Sequence, residues 1–220
     1  KVRVHFFLPL LLLIFWLRVE NFPLALTLVV ILFVSVLLHE FGHVFMARWS
    51  NGFGDEILIW PLGGLAFVRP GPGLKAQFWT AAAGPIVNLA LCAVTLPAVG
   101  FSDMEDKLSL LNPLDLPTVV LTNTSFTVLL QSILILTFFI NWILLIINLL
   151  PVYPLDGGRM LQSWLANRMG NEAGNNAYSR IGLGLGILML VVGLIINGIW
   201  IVAIGALVLA MNLHESFQMK

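Results

Sequence analysis

Leu38-His39-Glu40-Phe41-Gly42-His43 sets two imidazoles four residues apart, with a carboxylate beside the first. On a helix, positions i and i+4 share one face, about 40° apart, so both rings can reach a single metal ion. Glu40 stands one step round the helix, placed to take a proton from a water attacking a carbonyl. The chemistry this spacing suits is metal-assisted hydrolysis. The same pattern arises by chance in soluble helices. Here it lies in a strongly apolar stretch, where three ionisable side chains are costly without partners and a task.

Two histidines leave a catalytic zinc one protein ligand short, since such sites hold three and keep one position open. Asp156 is the candidate. It lies in Pro151-Val152-Tyr153-Pro154-Leu155-Asp156-Gly157-Gly158, where two prolines and then two glycines break a hydrophobic run. Non-helical backbone at membrane depth persists only where protein or a wet cavity satisfies its polar groups. The competing reading makes Asp156 the N-cap of a following helix. Capping alone leaves an anion in so apolar a setting unexplained.

The elements that must position these residues are membrane helices. The chain has 220 residues, 59% hydrophobic and 10% charged, with a mean hydropathy of +0.97. Soluble domains carry about a quarter charged residues, so this composition belongs to the membrane class. No polar block is long enough for a soluble domain, and one domain over residues 1–220 is expected, with its catalytic core at about 22–165. A hydrocarbon core of ~30 Å needs about 20 apolar helical residues. Six spans are predicted: Val4–Leu17, Phe22–Trp49, Phe78–Val99, Phe126–Leu150, Ile181–Ile196 and Gly198–Met211. Val4–Leu17 lacks a small-residue cleavage site and reads as a span, not a signal peptide. Between the second and third spans, Ile57–Val68 reads as a membrane-associated β-hairpin turning at Pro61-Leu62-Gly63-Gly64. The expected fold is thus an all-α polytopic membrane protein with one short hairpin.

Charge orients it. With the N-terminus inside, alternation puts every basic residue except Arg18 and Lys107 on the cytoplasmic side, as the positive-inside rule asks. Both termini and the metal-ligand end of the bundle are then cytoplasmic, whereas the acidic segment with Asp103, Glu105, Asp106 and Asp115 falls outside. A net charge of zero leaves no basic stripe for nucleic acid. The single cysteine, Cys92, excludes an internal disulfide.

Four motifs in order carry a resemblance: His39-Glu40-Phe41-Gly42-His43, Pro61-Leu62-Gly63-Gly64, Ala83-Gly84-Pro85-Ile86-Val87-Asn88, and Asn148 to Gly158 around Asp156. Together they resemble the site-2 protease family of intramembrane zinc metalloproteases. The resemblance implies three core helices holding one Zn²⁺ per chain through His39, His43 and Asp156, with Glu40 as base. It implies that Asn148 holds the substrate backbone or the oxyanion. Asn88, Gly63 and Gly64 become candidate substrate contacts, although helix packing is the more cautious role for Gly84, Pro85 and Asn88. It implies single-pass membrane proteins as substrates, a lipid bilayer around the chain, and a prokaryotic cell membrane as the location. Between its first and last residues the sequence carries no PDZ or CBS domain of the kind some relatives have.

Two rival readings remain at this level. A metal transporter or channel would use the same ligands for transit, but the first, fifth and sixth spans offer no further ligand. An inactive scaffold would have no need of an intact Glu40. Other features carry less. His214-Glu215 opens like the zinc motif, but residue 218 is Gln. His5 is read as an interfacial residue, Gly182, Gly184 and Gly186 as a helix-packing face, and Asn123-Thr124-Ser125 as an isolated sequon.

Overall fold

The computed structural model describes residues 2–4, 8–60, 63–100, 110–112, 116–119, 121 and 125–218. The expectations placed on Lys1, His5, Pro61-Leu62, Lys107, the acidic segment, Asn123-Thr124 and Lys220 lie outside these residues. In chain order the elements are β1 (Val2–Val4), α1 (Leu8–Val19), α2 (Phe22–Trp49), β2 (Phe53–Trp60) and β3 (Gly63–Arg69), then α3 (Leu74–Gly100), α4 (Phe126–Leu149), α5 (Asp156–Met169), α6 (Asn171–Ile195) and α7 (Ile199–Gln218).

Local chemistry sets the ends of the two helices that frame the bundle. The Asn21 side chain accepts from the Leu24 N–H at 3.1 Å, and Pro23 occupies the first turn, where no helical partner exists for its missing N–H. Helix α2 then runs 28 residues, about 42 Å at 1.5 Å per residue. It stops at Ser50 and Asn51, the latter with a φ of 59°, and the chain turns back into β2. Ser125 caps α4 by accepting from the Val128 N–H.

Helix α3 lies at the centre, packed against α2, α4 and α5. Its Thr80–Pro85 stretch consists of small residues and proline, all buried, which lets neighbouring backbones approach closely. Apolar packing closes the rest. Leu28 and Ile31 of α2 meet Leu136 and Ile140 of α4, while Cys92 and Val99 of α3 meet Ile135 and Phe138 of α4.

The strands form one sheet in the order β1-β2-β3. Strands β2 and β3 are antiparallel from Phe53↔Arg69 to Trp60↔Gly63, with a register shift between Gly54 and Glu56. Strand β1 pairs parallel to β2, Val2↔Ile57 to Val4↔Ile59. Both edges of β2 are thereby used. Among the described residues the outer edge of β3 is not paired. The sheet is tied to the end of α2, where Arg48 Nε donates to the Gly54 carbonyl at 2.9 Å.

Several expectations need correction. The expected first span, Val4–Leu17, begins in strand β1, and its helix is only the 12 residues of α1. Three strand residues are too few for a period-2 pattern to register in the sequence. The helix that contains the expected fifth span, Ile181–Ile196, is α6, which begins at Asn171 and not at Ile181 because its polar first turns pack on α5. Helix α5, polar and 14 residues long, is the helix that the capping reading places after Asp156, and it is not among the six predicted spans. Four helices, α2, α3, α4 and α6, are long and apolar enough to cross a membrane, and the apolar stretches of α1 and α7 are shorter. The fold is a mostly helical membrane type with a small three-stranded sheet.

Candidate metal centre

His39 and His43 lie one turn apart on α2, both buried, with ring centroids 4.7 Å apart and planes at 82°. Their Nε2 atoms are 3.0 Å from each other. Asp156 Oδ2 enters from α5, 3.0 Å from His39 Nε2 and 3.3 Å from His43 Nε2. Residues separated by more than a hundred positions thus converge on one point.

The other ring nitrogens are tied down. His43 Nδ1 lies 2.7 Å from the Thr80 carbonyl oxygen, and His39 Nδ1 lies 2.5 Å from Asn88 Oδ1. The Thr80 backbone carbonyl only accepts, so His43 Nδ1 carries the hydrogen; with the Asn88 oxygen turned toward it His39 Nδ1 does the same, and each Nε2 presents a lone pair inward. Two lone pairs and a carboxylate oxygen then face one another inside 3.3 Å. Asp156 Oδ2 is buried without a hydrogen-bond partner. Such a set repels itself unless a cation lies among the three atoms. A tetrahedral zinc with bonds of about 2.0–2.1 Å has ligand–ligand edges of about 3.3–3.4 Å, close to these separations. The residues present fit a zinc ion.

Asp156 arrives by a specific local route. Helix α5 has Leu155 as N-cap with no side-chain capping bond, and Asp156 is the first helical residue. The capping alternative is therefore set aside, while the helix N-terminus still favours an anion there. Gly157 and Gly158 let this turn lie on the end of α4. A Cβ on either would come within 2.4–2.5 Å of the Leu149 or Val152 carbonyl oxygen. The Pro151–Pro154 segment before them is held from α7, where Asn212 donates to the Tyr153 carbonyl and accepts from its N–H, each at 3.3 Å.

Glu40 is 5% exposed. A carboxylate oxygen of Glu40 and a ring nitrogen of each histidine all lie within 4.8 Å of one another. Two carboxylates therefore flank the imidazole pair, Asp156 in contact with both Nε2 atoms and Glu40 beside them.

Gly84 of α3 closes the remaining side. A Cβ there would fall 2.4 Å from His43 Nε2 and 2.5 Å from His39 Nε2. The space in front of both ligand atoms exists because this residue has no side chain. Gly84→Ala is expected to weaken zinc retention by at least about tenfold, on the scale of changes next to a metal's ligands. Dialysis against a competing chelator, followed by elemental analysis of the folded variant, measures this. Wild-type retention would place the metal elsewhere.

The other expected site residues fall as follows. Asn148 is partly buried, next to last in α4 and eight residues before Asp156. Gly63 and Gly64 open β3, opposite Trp60 and Ile59. Asn88 has no exposed surface, and its amide bonds His39 and Asn141. The structure thus places Asn88 behind the His39 ring, on the side away from Asp156. Two carboxamides escaped the sequence reading, Asn141 and Asn212, both buried. Each is an amide with apolar neighbours on both sides, Ile140 and Trp142 for one and Met211 and Leu213 for the other, and that setting is the available signal.

Comparison with known proteins agrees with this geometry. The model of peptidase family M50 matches residues 27–192. The zinc metalloprotease MJ0392 of Methanocaldococcus jannaschii is 29% identical over 182 residues, covering 82% of this chain and 47% of its own length. Rip3 of Mycobacterium tuberculosis is 30% identical over 201 residues, covering 87% and 46%. The chain thus spans about half the length of these relatives. Among solved structures, the site-2 protease from Methanocaldococcus jannaschii superposes with a TM-score of 0.59 at 27% identity, over 98% of this chain and 90% of that one. The motif order, the buried histidine–aspartate cluster and these matches agree: the chain belongs to peptidase family M50.

Proposed function

We propose that this protein is an intramembrane zinc endopeptidase that hydrolyses peptide bonds in or near the transmembrane segments of membrane proteins. The observation that carries the reading is the convergence of His39 Nε2, His43 Nε2 and Asp156 Oδ2 inside a bundle of apolar helices. Among the described residues, the one group of three metal-ligating side chains within 4.8 Å of one another is His39, Glu40 and His43 at this same place, whereas a transit pathway for metal would need several exchangeable sites.

His39, His43 and Asp156 hold the ion, one per chain. Zinc held this way acidifies water toward neutrality and polarises a carbonyl. Glu40 accepts the proton of the attacking water and returns it to the leaving amine. The Asn148 amide donates to the substrate backbone or to the developing oxyanion. Asn88 holds His39 in place and does not touch substrate.

The site lies roughly 9–15 Å from the C-terminal end of α2, counting 1.5 Å per residue from His43 and His39. That end carries Arg48, with Arg69 and Lys75 close by in sequence, so by the positive-inside rule it faces the cytoplasm. Both termini lie on that side if α1 and α7 join α2, α3, α4 and α6 as spans. Residues 1–220 act as one domain in a prokaryotic cell membrane, and the substrates are single-pass proteins. The test is co-reconstitution with a single-pass substrate and mass-spectrometric mapping of the products. Cuts within the transmembrane segment or a few residues from it are expected. Cuts confined to soluble loops would overturn the reading.

A helical substrate shields its own carbonyls and must unwind first, and in lipid each freed polar group costs several kcal/mol. The outer edge of β3, with Gly63 and Gly64 at its start, offers backbone partners for an extended strand. Gly, Pro or Asn near the scissile bond should therefore speed cleavage, and Leu-rich substitution slow it. Leu65→Pro or Phe67→Pro removes a strand donor and should reduce turnover without releasing zinc. Rates indifferent to both kinds of change would reduce the sheet to a lid or an anchor.

A further inference from the structure

His43 and His39 are oriented differently. His43 Nδ1 meets a backbone carbonyl directly, an atom that can only accept. His39 Nδ1 meets a side-chain amide, which could present either its oxygen or its nitrogen. Something further back must decide which. Asn88 Nδ2 donates to Asn141 Oδ1 at 2.9 Å, and Asn141 Nδ2 donates to the Thr137 carbonyl at 2.8 Å and to Ser35 Oγ at 2.9 Å. Asn88 and Asn141 are both 0% exposed, so water supplies no alternative partner.

The chain of bonds has one fixed end. The Thr137 carbonyl cannot donate, so the Asn141 amide must turn its NH₂ toward it and its oxygen toward Asn88. Asn88 must then present its NH₂ to Asn141 and its oxygen to His39. His39 must carry its hydrogen on Nδ1. The Ser35 hydroxyl can donate or accept and carries no direction. We infer that Asn141 is a positioning residue: through Asn88 it transmits the polarity of the Thr137 carbonyl on α4 to His39 on α2, and so keeps the Nε2 lone pair free for a metal.

A competing pull makes this arrangement necessary. Asp156 Oδ2 stands 3.0 Å from His39 Nε2. In the metal-free protein that carboxylate would draw the hydrogen to Nε2, where it blocks coordination. The relay opposes this from the far side of the ring. It deepens the zinc reading above and rests on it for its purpose, but the direction of the bonds can be measured without metal.

The test uses the full chain in detergent with ¹⁵N-labelled histidine. There are four histidines, and His39 is assigned by its loss in His39→Gln. In metal-free wild type at mildly alkaline pH, His39 is expected as the Nδ1–H tautomer. An Nε2–H tautomer there overturns the proposal without any relay variant having to fold. Asn141→Leu, which fills the space without an amide, should shift His39 toward Nε2–H, and Ser35→Ala should leave the tautomer as it is. Zinc affinity by chelator competition should fall about tenfold in Asn141→Leu, within the range seen for groups behind metal ligands. Because Asn141 acts through Asn88, adding Asn141→Leu to Asn88→Ala should cost nothing beyond Asn88→Ala alone. Additive losses, or an unchanged tautomer in folded Asn141→Leu, would reduce Asn141 to a packing residue. A tautomer that responds as described in a protein that binds no zinc would uphold the relay and refute the zinc reading.

Discussion

Glu40→Gln should abolish cleavage while the protein still holds one zinc per chain. The substitution keeps the size and shape of the side chain at a position only 5% exposed, so packing changes little. What it removes is a basic oxygen beside the imidazole pair. A positioned general base contributes about 10²–10⁴ in rate, and without it the attacking water has no proton acceptor at the site. The ligand atoms are untouched, because Asp156 and not Glu40 makes the close contacts to both Nε2 atoms. Product formation by gel or mass spectrometry, paired with elemental analysis of the same sample, reads both quantities. Loss of zinc along with activity would make Glu40 a ligand, and full activity would end the mechanism.

Asp156→Ala is expected to do the opposite to the metal. It leaves two imidazoles facing an empty corner, and two histidines alone hold zinc poorly. Zinc content should fall well below one per chain after dialysis, and cleavage should drop below detection. Misfolding is not the expected cause. Asp156 makes no capping bond, since Leu155 is the N-cap of α5, so the helix keeps its start when the carboxylate is removed. Circular dichroism on the variant checks this directly. If zinc and turnover both stay at wild-type levels, another residue completes the site and the proline–glycine break needs a different explanation.

The features legible in sequence were those whose signal is local or whose cost in lipid is high. His39, Glu40 and His43 stand out because an i, i+4 pair inside an apolar helix has few other uses. Asp156 stands out because a broken backbone and an anion coincide. Helices α2 and α4 followed from long apolar runs with clear ends. What escaped was either short or dependent on distant partners. Strand β1 has three residues and gains its partner at Ile57–Ile59 through a parallel pairing that no local pattern encodes. Helix α5 is too polar to read as a span, and so are the first turns of α6. Asn141 and Asn212 gain meaning only from partners distant in sequence, at Asn88 and Ser35 on other helices for one and at Tyr153 in the break before α5 for the other. Asn88 and His39 are each legible in their own motifs, but the contact between them depends on the packing of α3 against α2, which no local pattern encodes.

The claim that metal held by this cluster drives peptide hydrolysis is tested most directly by titration. Purified protein in detergent is stripped with chelator, and cleavage of a single-pass transmembrane substrate is followed as zinc is returned. Activity should vanish on stripping and recover in proportion to added zinc, saturating at one equivalent per chain. Glu40→Gln should take up the same equivalent and stay inactive. Cleavage that persists in fully stripped protein, or zinc that binds equally to Asp156→Ala, would contradict the account.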